Sequence, residues 1–229
     1  MATIIQKLQI YGPKNFIIFS FIEIGRLINR QILKSFSQNK EDLIIEKILK
    51  RKLKSYIDIG SNHPVKFNNT YRSYLFGARG VNVEPNLALI KNYRQLRPKD
   101  KNLQIGIARQ KSISTFYQLD PDVDSTFSLK QVQNKVIHGC HLTAKYQVKI
   151  LTLKNIFRKY FNHKNIDLLS IDTEGYDFQI LQSNNWHKYR PKVICIEDNT
   201  LKTQKLLIKN NYSLRAITLN NSIYLDEKA

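Results

Sequence analysis

The segment Asp58-Ile59-Gly60-Ser61-Asn62-His63 constrains the fold of this 229-residue chain more than any other. It follows the apolar strand pattern Tyr56-Ile57, and a second acid, Glu84, ends the next strand pattern, Val81-Asn82-Val83. A glycine loop after one strand and an acid after the next suit a nucleoside cofactor. The glycine lets backbone approach the ligand, and the acid accepts hydrogen bonds from a ribose diol.

The loop favours a cofactor without a pyrophosphate. Gly60 is its one glycine, so the GxGxxG pattern that cradles a dinucleotide pyrophosphate is missing. S-adenosylmethionine fits better, because it carries a ribose and an amino-acid tail but no phosphate. We therefore expect it as the cofactor.

Strand and helix patterns alternate along the chain. Strands are predicted at 56–59, 81–84, 103–108, 167–172 and 193–197, and helices at 41–53, 70–76, 86–97, 152–161, 175–183 and 201–209. Residues 112–150 interrupt the rhythm with two antiparallel strand patterns, and the chain ends in a predicted hairpin. These patterns predict an α/β fold of Rossmann-like type: a doubly wound, mostly parallel sheet with an antiparallel C-terminal hairpin.

Residues 1–40 form a predicted helical arm, followed by the main domain, residues 41–229. Glu23 and Arg26 interrupt the apolar stretch of the arm, which is far shorter than the roughly 20 apolar residues of a membrane span. No small-residue cleavage site of a signal peptide follows it. Packing on the core, pairing in a homodimer and peripheral contact with a membrane all remain open for the arm.

The net charge of +19 admits a nucleic acid, an anionic membrane or a general lysine bias as its explanation. The basic residues are scattered and form no polybasic block, so we favour a solvated basic surface over nucleic-acid binding. The two cysteines, Cys140 and Cys195, indicate buried thiols in a reducing compartment, and hence a cytoplasmic location.

Acidic residues gather at the predicted strand ends. A third of the 18 acids lie there: Asp58, Glu84, Asp172, Glu174, Glu197 and Asp198. The carboxyl ends of parallel strands line one crevice. An acidic crevice in a basic protein suits a cationic sulfonium cofactor, a metal ion or both.

The chain resembles the FkbM-type methyltransferases, a branch of the class I S-adenosylmethionine-dependent enzymes. The matching segments stand in family order over about residues 54–200: Asp58–Pro64, Asn69–Tyr71, Gly80–Asn86, Ser125-Thr126, Thr152-Leu153, Ile171–Gly175, Arg190-Pro191 and Val193–Glu197. Ser61 departs from the alanine that is common in the family. The resemblance implies the class I fold and transfer of a methyl group to a hydroxyl. His63-Pro64 with Asn69-Thr70 resembles members that act on sugars in glycans or glycoconjugates.

The resemblance also implies the cofactor-binding residues, which are Asp58, Gly60, Ser61, Asn62, Asn69, Thr70, Glu84, Pro85, Ser125 and Asp172. Asp58 would hold the methionine ammonium and Glu84 the ribose. Backbone amides at Asn69 and Thr70, at a helix N-terminus, would bind the cofactor carboxylate. A turn-capping role for Asp58, a helix N-cap for Asn69 and loop hydrogen bonding for Ser125 are the competing interpretations.

An alcohol acceptor must lose its proton, which requires either a base or a metal ion that makes the hydroxyl more acidic. Asp172 and Glu174 are the predicted catalytic bases, and His63 is a rival. Asp172, Asp198 and Asn199 also form a candidate oxygen-ligand set for Mg²⁺. In the competing interpretation, Asp198 and Asn199 cap the helix that starts near residue 201.

Two other functions stay open. Charge alone suggests an RNA methyltransferase, although the fourth strand ends Asp172-Thr-Glu-Gly175 and lacks the Asn-Pro-Pro-Tyr type of signature for amino-group targets. A non-enzymatic module that binds nucleic acid or membrane is the other. The intact Asp58, Gly60 and Glu84 argue against it.

Overall fold

A computed structural model describes residues 35–228 except 122–123, 163–165 and 174. Its helices are α1 (Glu41–Leu49), α2 (Tyr71–Leu75), α3 (Leu87–Leu96), α4 (Leu129–Ile137), α5 (Leu153–Tyr160), α6 (Asp177–Gln182) and α7 (Leu201–Lys209). Its strands are β1 (Ser55–Ile59), β2 (Arg79–Val83), β3 (Lys101–Leu103), β4 (Gly106–Ile107), β5 (Ser112–Asp120), β6 (His141–Leu151), β7 (Leu168–Ile171), β8 (Val193–Ile196), β9 (Tyr212–Ile217) and β10 (Ser222–Asp226).

The main sheet has the strand order β3-β2-β1-β7-β8-β10-β9. The first five strands are parallel, and β10 runs antiparallel to both of its neighbours. Strands β7 and β8 are buried along their whole length because helices cover both faces of the sheet. The predicted doubly wound, mostly parallel sheet with an antiparallel C-terminal hairpin is confirmed.

Alternation along the strands divides the core between the two faces of the sheet. Ile57, Leu169 and Ile194 belong to the cluster that packs with α5 and α6. Their neighbours Tyr56 and Leu168 belong to the cluster that packs with α1 on the other face. Because these strands pair in parallel, the ends of β1, β2, β7 and β8 meet at one edge of the sheet.

A second, three-stranded sheet with the order β4-β6-β5 follows the first half of the main sheet. The single strand predicted at 103–108 is wrong: the structure divides it into β3, in the main sheet, and β4, which pairs with β6. Helix α4 was not predicted. Val132 is its one buried residue, so little of the helix belongs to the core.

Two predicted helix boundaries are corrected. Helix α1 ends at Leu49 instead of residue 53, because Lys50 takes a left-handed conformation with φ of 54°. The predicted N-cap of α2, Asn69, is replaced by its neighbour: the Asn68 Oδ1 accepts bonds from the backbone N–H groups of Thr70 and Tyr71. The neighbouring amide thus does the capping.

Most of the predicted arm lies outside the described residues, but residues 35–40 pack on the domain. The Asp42 carboxylate accepts bonds from the Ser35 Oγ at 2.6 Å and from the Phe36 backbone N–H at 2.8 Å. Within the part of the chain that the structure describes, no helix has the length and apolar character to cross a membrane.

Candidate functional site

A cavity of about 560 Å³ opens where β1, β2, β7 and β8 end. This volume lies in the range of small-molecule sites. Acidic residues from the main sheet line it: Asp58, Glu84, Asp172 and Glu197. Neutral residues from the second sheet and its loops also line it, among them Ser112, Ser114, Phe116, Ser125, Thr126 and Phe127.

Gly60 sits where the loop after β1 meets the end of β7. Its φ is +70°, and a Cβ atom there would lie 1.7 Å from the backbone oxygen of Asp172. Its backbone N–H donates to the Val83 oxygen at 3.0 Å, as that of Ser61 does at 3.2 Å. The loop is therefore tied to the ends of two strands at once, and a glycine is required there.

The Glu84 carboxylate is held by backbone amides at the cavity wall. The N–H of Asn62 donates to Oε2 and the N–H of Asn86 to Oε1, each at 2.8 Å. Asn62 takes a left-handed φ of 47° at this turn. These contacts fix the orientation of the Glu84 carboxylate at the cavity wall. Pro85 lines the cavity beside it.

Asp58 is a buried acid on the cavity wall, 4% exposed. Its Oδ2 accepts bonds from the Thr70 Oγ1 at 2.8 Å and from the Asn68 Nδ2 at 3.4 Å. Burial raises the pKa of the Asp58 carboxyl, and the positive charge of Arg97 opposes that shift. A cation placed against such a carboxylate would stabilise its charged form.

Asn69 and Thr70, the two residues predicted at the start of α2, have different surroundings. Asn69 lines the cavity, and its amide donates to the Ser170 Oγ at 3.2 Å. Thr70 is fully buried and is not part of the cavity lining. Its hydroxyl donates to the Asp58 carboxylate from behind the cavity wall.

The predicted catalytic residue Asp172 lies exposed on the cavity wall at the end of β7. Its backbone N–H donates to the Ile59 oxygen at 3.0 Å. The loop after it is pinned by Asp177, whose carboxylate accepts from the N–H groups of Thr173 and Asp198, each at 3.0 Å. Burial raises the pKa of Asp177 to about 6. Glu174 lies outside the described residues.

His63, the rival base, is held in one tautomer. Its Nδ1 accepts the backbone N–H groups of Val65 at 3.1 Å and Lys66 at 3.0 Å. A neutral imidazole that accepts at Nδ1 carries its proton on Nε2. At the cavity wall His63 is therefore a hydrogen-bond donor, since taking up a proton at Nδ1 would break both bonds.

The predicted metal site is not supported. Asp198 is used within its own loop, where it accepts from the Thr200 N–H at 2.8 Å and the Thr203 Oγ1 at 2.7 Å. It steadies the first turn of α7, close to the competing capping interpretation, and neither it nor Asn199 lines the cavity with Asp172. Among the described residues, no three His, Cys, Asp or Glu side chains cluster as a metal site would require.

Ser125 and Thr126 both line the cavity and hold their own loop. The Ser125 Oγ accepts from the Leu119 N–H at 3.0 Å, and Thr126 forms a backbone bridge with Tyr117. The two interpretations offered by the sequence, ligand contact and loop bonding, are compatible.

Several lining residues were missed from the sequence. Ser112, Ser114 and Phe116 alternate along β5 and present one face to the cavity, a period of two that could have identified them. Glu197 was recognised as a strand-end acid but given no role. Asn68 and Asn69 are adjacent and of the same type, so the sequence could not show that the side chain of Asn68, and not that of Asn69, caps α2.

Comparison with known proteins gives one family model and several solved structures of similar fold. A family model described as "Methyltransferase FkbM domain" matches residues 58–216. The fold is similar to that of methyltransferase FkbM from Methylobacillus flagellatus KT, with 11% identity and a TM-score of 0.45; the match covers 76% of this chain and 44% of that one. It is also similar to a putative caffeoyl-CoA O-methyltransferase from Staphylococcus aureus, with 9% identity, a TM-score of 0.47 and coverages of 90% and 91%. The comparison with curated proteins gives no match.

Proposed function

The chain belongs to the FkbM methyltransferase family, and on that premise we propose that it transfers the methyl group of S-adenosylmethionine to a hydroxyl of a sugar in a glycan or glycoconjugate. One observation carries the proposal. Asp58, Glu84 and Asp172 meet in a single cavity at the strand ends, beside a wall of small hydroxyl side chains.

The lining residues that come from the main sheet fit the cofactor. Asp58 would bind the methionine ammonium, and the anchored carboxylate of Glu84 would accept the ribose hydroxyls. The backbone of Gly60, Ser61 and Asn62 would pass along the methionine tail. Among the described residues, the lining holds four carboxylates and one lysine, Lys66, in a protein of net charge +19, which suits a cationic ligand.

Asp172 is the proposed base. S-adenosylmethionine supplies a methyl group activated by the sulfonium leaving group, so much of the catalysis lies in alignment. The exposed Asp172 carboxylate can take the acceptor's proton as the acceptor oxygen bonds to the methyl carbon, the bond from that carbon to sulfur breaks and S-adenosylhomocysteine is released. His63 contributes a donated hydrogen bond instead, because its Nδ1 is engaged by two amides.

The second sheet supports a sugar acceptor. Ser112, Ser114 and Ser125 offer hydroxyl groups that both donate and accept hydrogen bonds, as sugar hydroxyls require. Phe116 and Phe127 lie edge to face, with ring centroids 5.0 Å apart, and add apolar surface for the C–H face of a sugar ring.

Calorimetry with S-adenosylmethionine and S-adenosylhomocysteine tests the cofactor assignment. We expect micromolar affinity, about −8 kcal/mol. Glu84→Ala should weaken it clearly, whereas Glu227→Ala should not, because Glu227 pairs with Arg215 on the surface. Absence of heat with both ligands would contradict the assignment.

A methyl-transfer screen against a glycan library, with and without EDTA, tests the reaction. We expect methylated glycans in both conditions, because the described residues provide no metal site. Transfer to RNA but to no glycan would overturn the acceptor class.

A further inference from the structure

A charged pair lies fully buried next to Asp58, outside the cavity lining. Arg97 follows α3 and is 0% exposed, and its Nε contacts the Asp100 Oδ2 at 2.9 Å. Other guanidinium nitrogens donate to the Tyr56 hydroxyl at 2.7 Å, the Thr70 Oγ1 at 3.0 Å and the Asn68 Oδ1 at 3.1 Å.

The burial of this pair is by itself weak evidence that it stabilises the fold. Desolvation of two buried charges offsets much of their attraction, and apolar residues of similar volume are often as stabilising. A buried pair in such a place calls for another role, and its partners indicate which one.

Two of the Arg97 partners are the residues that hold Asp58. The Thr70 hydroxyl, which accepts from Arg97, donates to the Asp58 Oδ2 at 2.8 Å. The Asn68 amide, whose oxygen accepts from Arg97, donates toward the same Oδ2 at 3.4 Å and to the Ser61 backbone oxygen at 3.3 Å. Arg97 thus acts on the carboxylate and on the glycine loop through the same two side chains.

The charges of this cluster leave a place for one cation. With Asp58 ionised, as a bound cation would favour, Asp58 and Asp100 contribute two negative charges and Arg97 one positive charge. Asp100 is committed to the scaffold, because its Oδ1 accepts from the Gly80 N–H at 2.9 Å and its Oδ2 from the Tyr56 hydroxyl at 2.7 Å. The remaining negative charge falls on Asp58, the member of the cluster that lines the cavity.

We propose that Arg97, anchored by Asp100, is a positioning residue for the amino-acid end of the cofactor: through Thr70 and Asn68 it favours the ionised form of the Asp58 carboxylate and aims that carboxylate at the ligand ammonium. This inference rests on the proposed cofactor. A positioning role differs from a merely structural one in a measurable way: loss of the Arg97 side chain should weaken binding of the amino-acid end of the ligand and not of the rest.

Two ligands that differ at that end provide the test. S-adenosylhomocysteine carries the amino-acid end, and 5′-methylthioadenosine lacks it. In Arg97→Met and in Thr70→Val we expect affinity for S-adenosylhomocysteine to fall about tenfold or more, the scale of a hydrogen bond to a charged group. Affinity for 5′-methylthioadenosine should stay within about twofold. An equal loss for both ligands would mean a general structural effect and overturn the proposal.

Control variants separate the possible failures. Arg190→Met removes a cation paired with Asp226, remote from the cavity lining, and should leave the ratio of the two affinities unchanged. Arg97→Met with Asp100→Asn removes both buried charges and should show the same selective loss. If the single variant does not fold, the double variant and Thr70→Val decide.

Asp58→Asn serves as the reference. The ratio compared is the affinity for S-adenosylhomocysteine divided by that for 5′-methylthioadenosine. If Asp58→Asn leaves this ratio unchanged, Asp58 does not bind the amino-acid end and the proposed cofactor geometry fails. If Asp58→Asn lowers the ratio and the Arg97 and Thr70 variants do not, the positioning role of Arg97 is refuted while the assignment of Asp58 stands.

Discussion

Gly60→Ala should damage both the stability of the protein and its cofactor site. An L residue in a left-handed conformation costs about 1–2 kcal/mol, and φ at Gly60 is +70°. The added Cβ would also lie 1.7 Å from the Asp172 oxygen, half the distance of an ordinary van der Waals contact. Displacing that backbone adds about 1–3 kcal/mol, on the scale of overpacked cores.

Gly77→Ala is the matched control. Gly77 has a φ of +97°, and nothing lies within 4 Å of an added Cβ. It therefore bears the conformational cost, about 1–2 kcal/mol, without the clash. At about 2–4 °C of melting temperature per kcal/mol, Gly77→Ala should melt roughly 2–8 °C below the wild type, and Gly60→Ala lower still.

Urea unfolding would give the free energy of unfolding of the two variants, and calorimetry their affinity for S-adenosylhomocysteine. We expect Gly60→Ala to lose most of its affinity, because relief of the clash moves the ends of β1 and β7 apart. Gly77→Ala should bind as the wild type does. Equal destabilisation of the two variants, both with intact binding, would refute the close approach at Gly60.

Three further outcomes follow from the structure. Asp172→Asn should lower turnover about 10²-fold or more with cofactor affinity nearly unchanged; near-normal turnover in a steady-state assay would exclude it as the base. The raised pKa of Asp177, about 6, means that the folded state binds more protons than the unfolded state between about pH 4 and 6. Its contribution to stability is therefore present at low pH and lost as the pH rises through about 6, and urea unfolding of the wild type against Asp177→Asn across that range measures it; a difference independent of pH would contradict the shift. Deletion of residues 1–34 should preserve cofactor binding in calorimetry. Deletion of residues 1–40 should weaken binding and lower the melting temperature, because it removes Gln38 from the cavity wall and the contacts of Asp42; equal behaviour of the two truncations would show that the segment 35–40 is dispensable.

The main sheet was predictable because its signals are local. Buried parallel strands such as β7 and β8 are short apolar runs, and each ends at a polar residue that marks the sheet edge. The right-handed crossovers then bring those ends together. Asp58, Glu84 and Asp172 could therefore be placed in one cavity from their positions at or just after the ends of strands.

The rest depended on tertiary contacts that no spacing reveals. The division of residues 103–108 between two sheets follows from pairing with β6, more than 40 residues away. Asp198 follows a strand as Asp172 does, but its carboxylate turns to Thr203 and away from the cavity. Arg97 looked like an ordinary residue at a helix end before Pro98, and its burial shows only in the folded structure.

The chain passes from the main sheet into the second sheet and back at a single place. Gly106 pairs with Ile150 and Ile107 with Leu151, so the two ends of the segment lie side by side, one strand spacing apart. The segment between them is continuous, and none of its strands belongs to the main sheet. It can therefore be exchanged as a module without reordering the strands that carry Asp58, Glu84 and Asp172, and the exchange would replace the part of the cavity wall that includes Ser112 and Ser114.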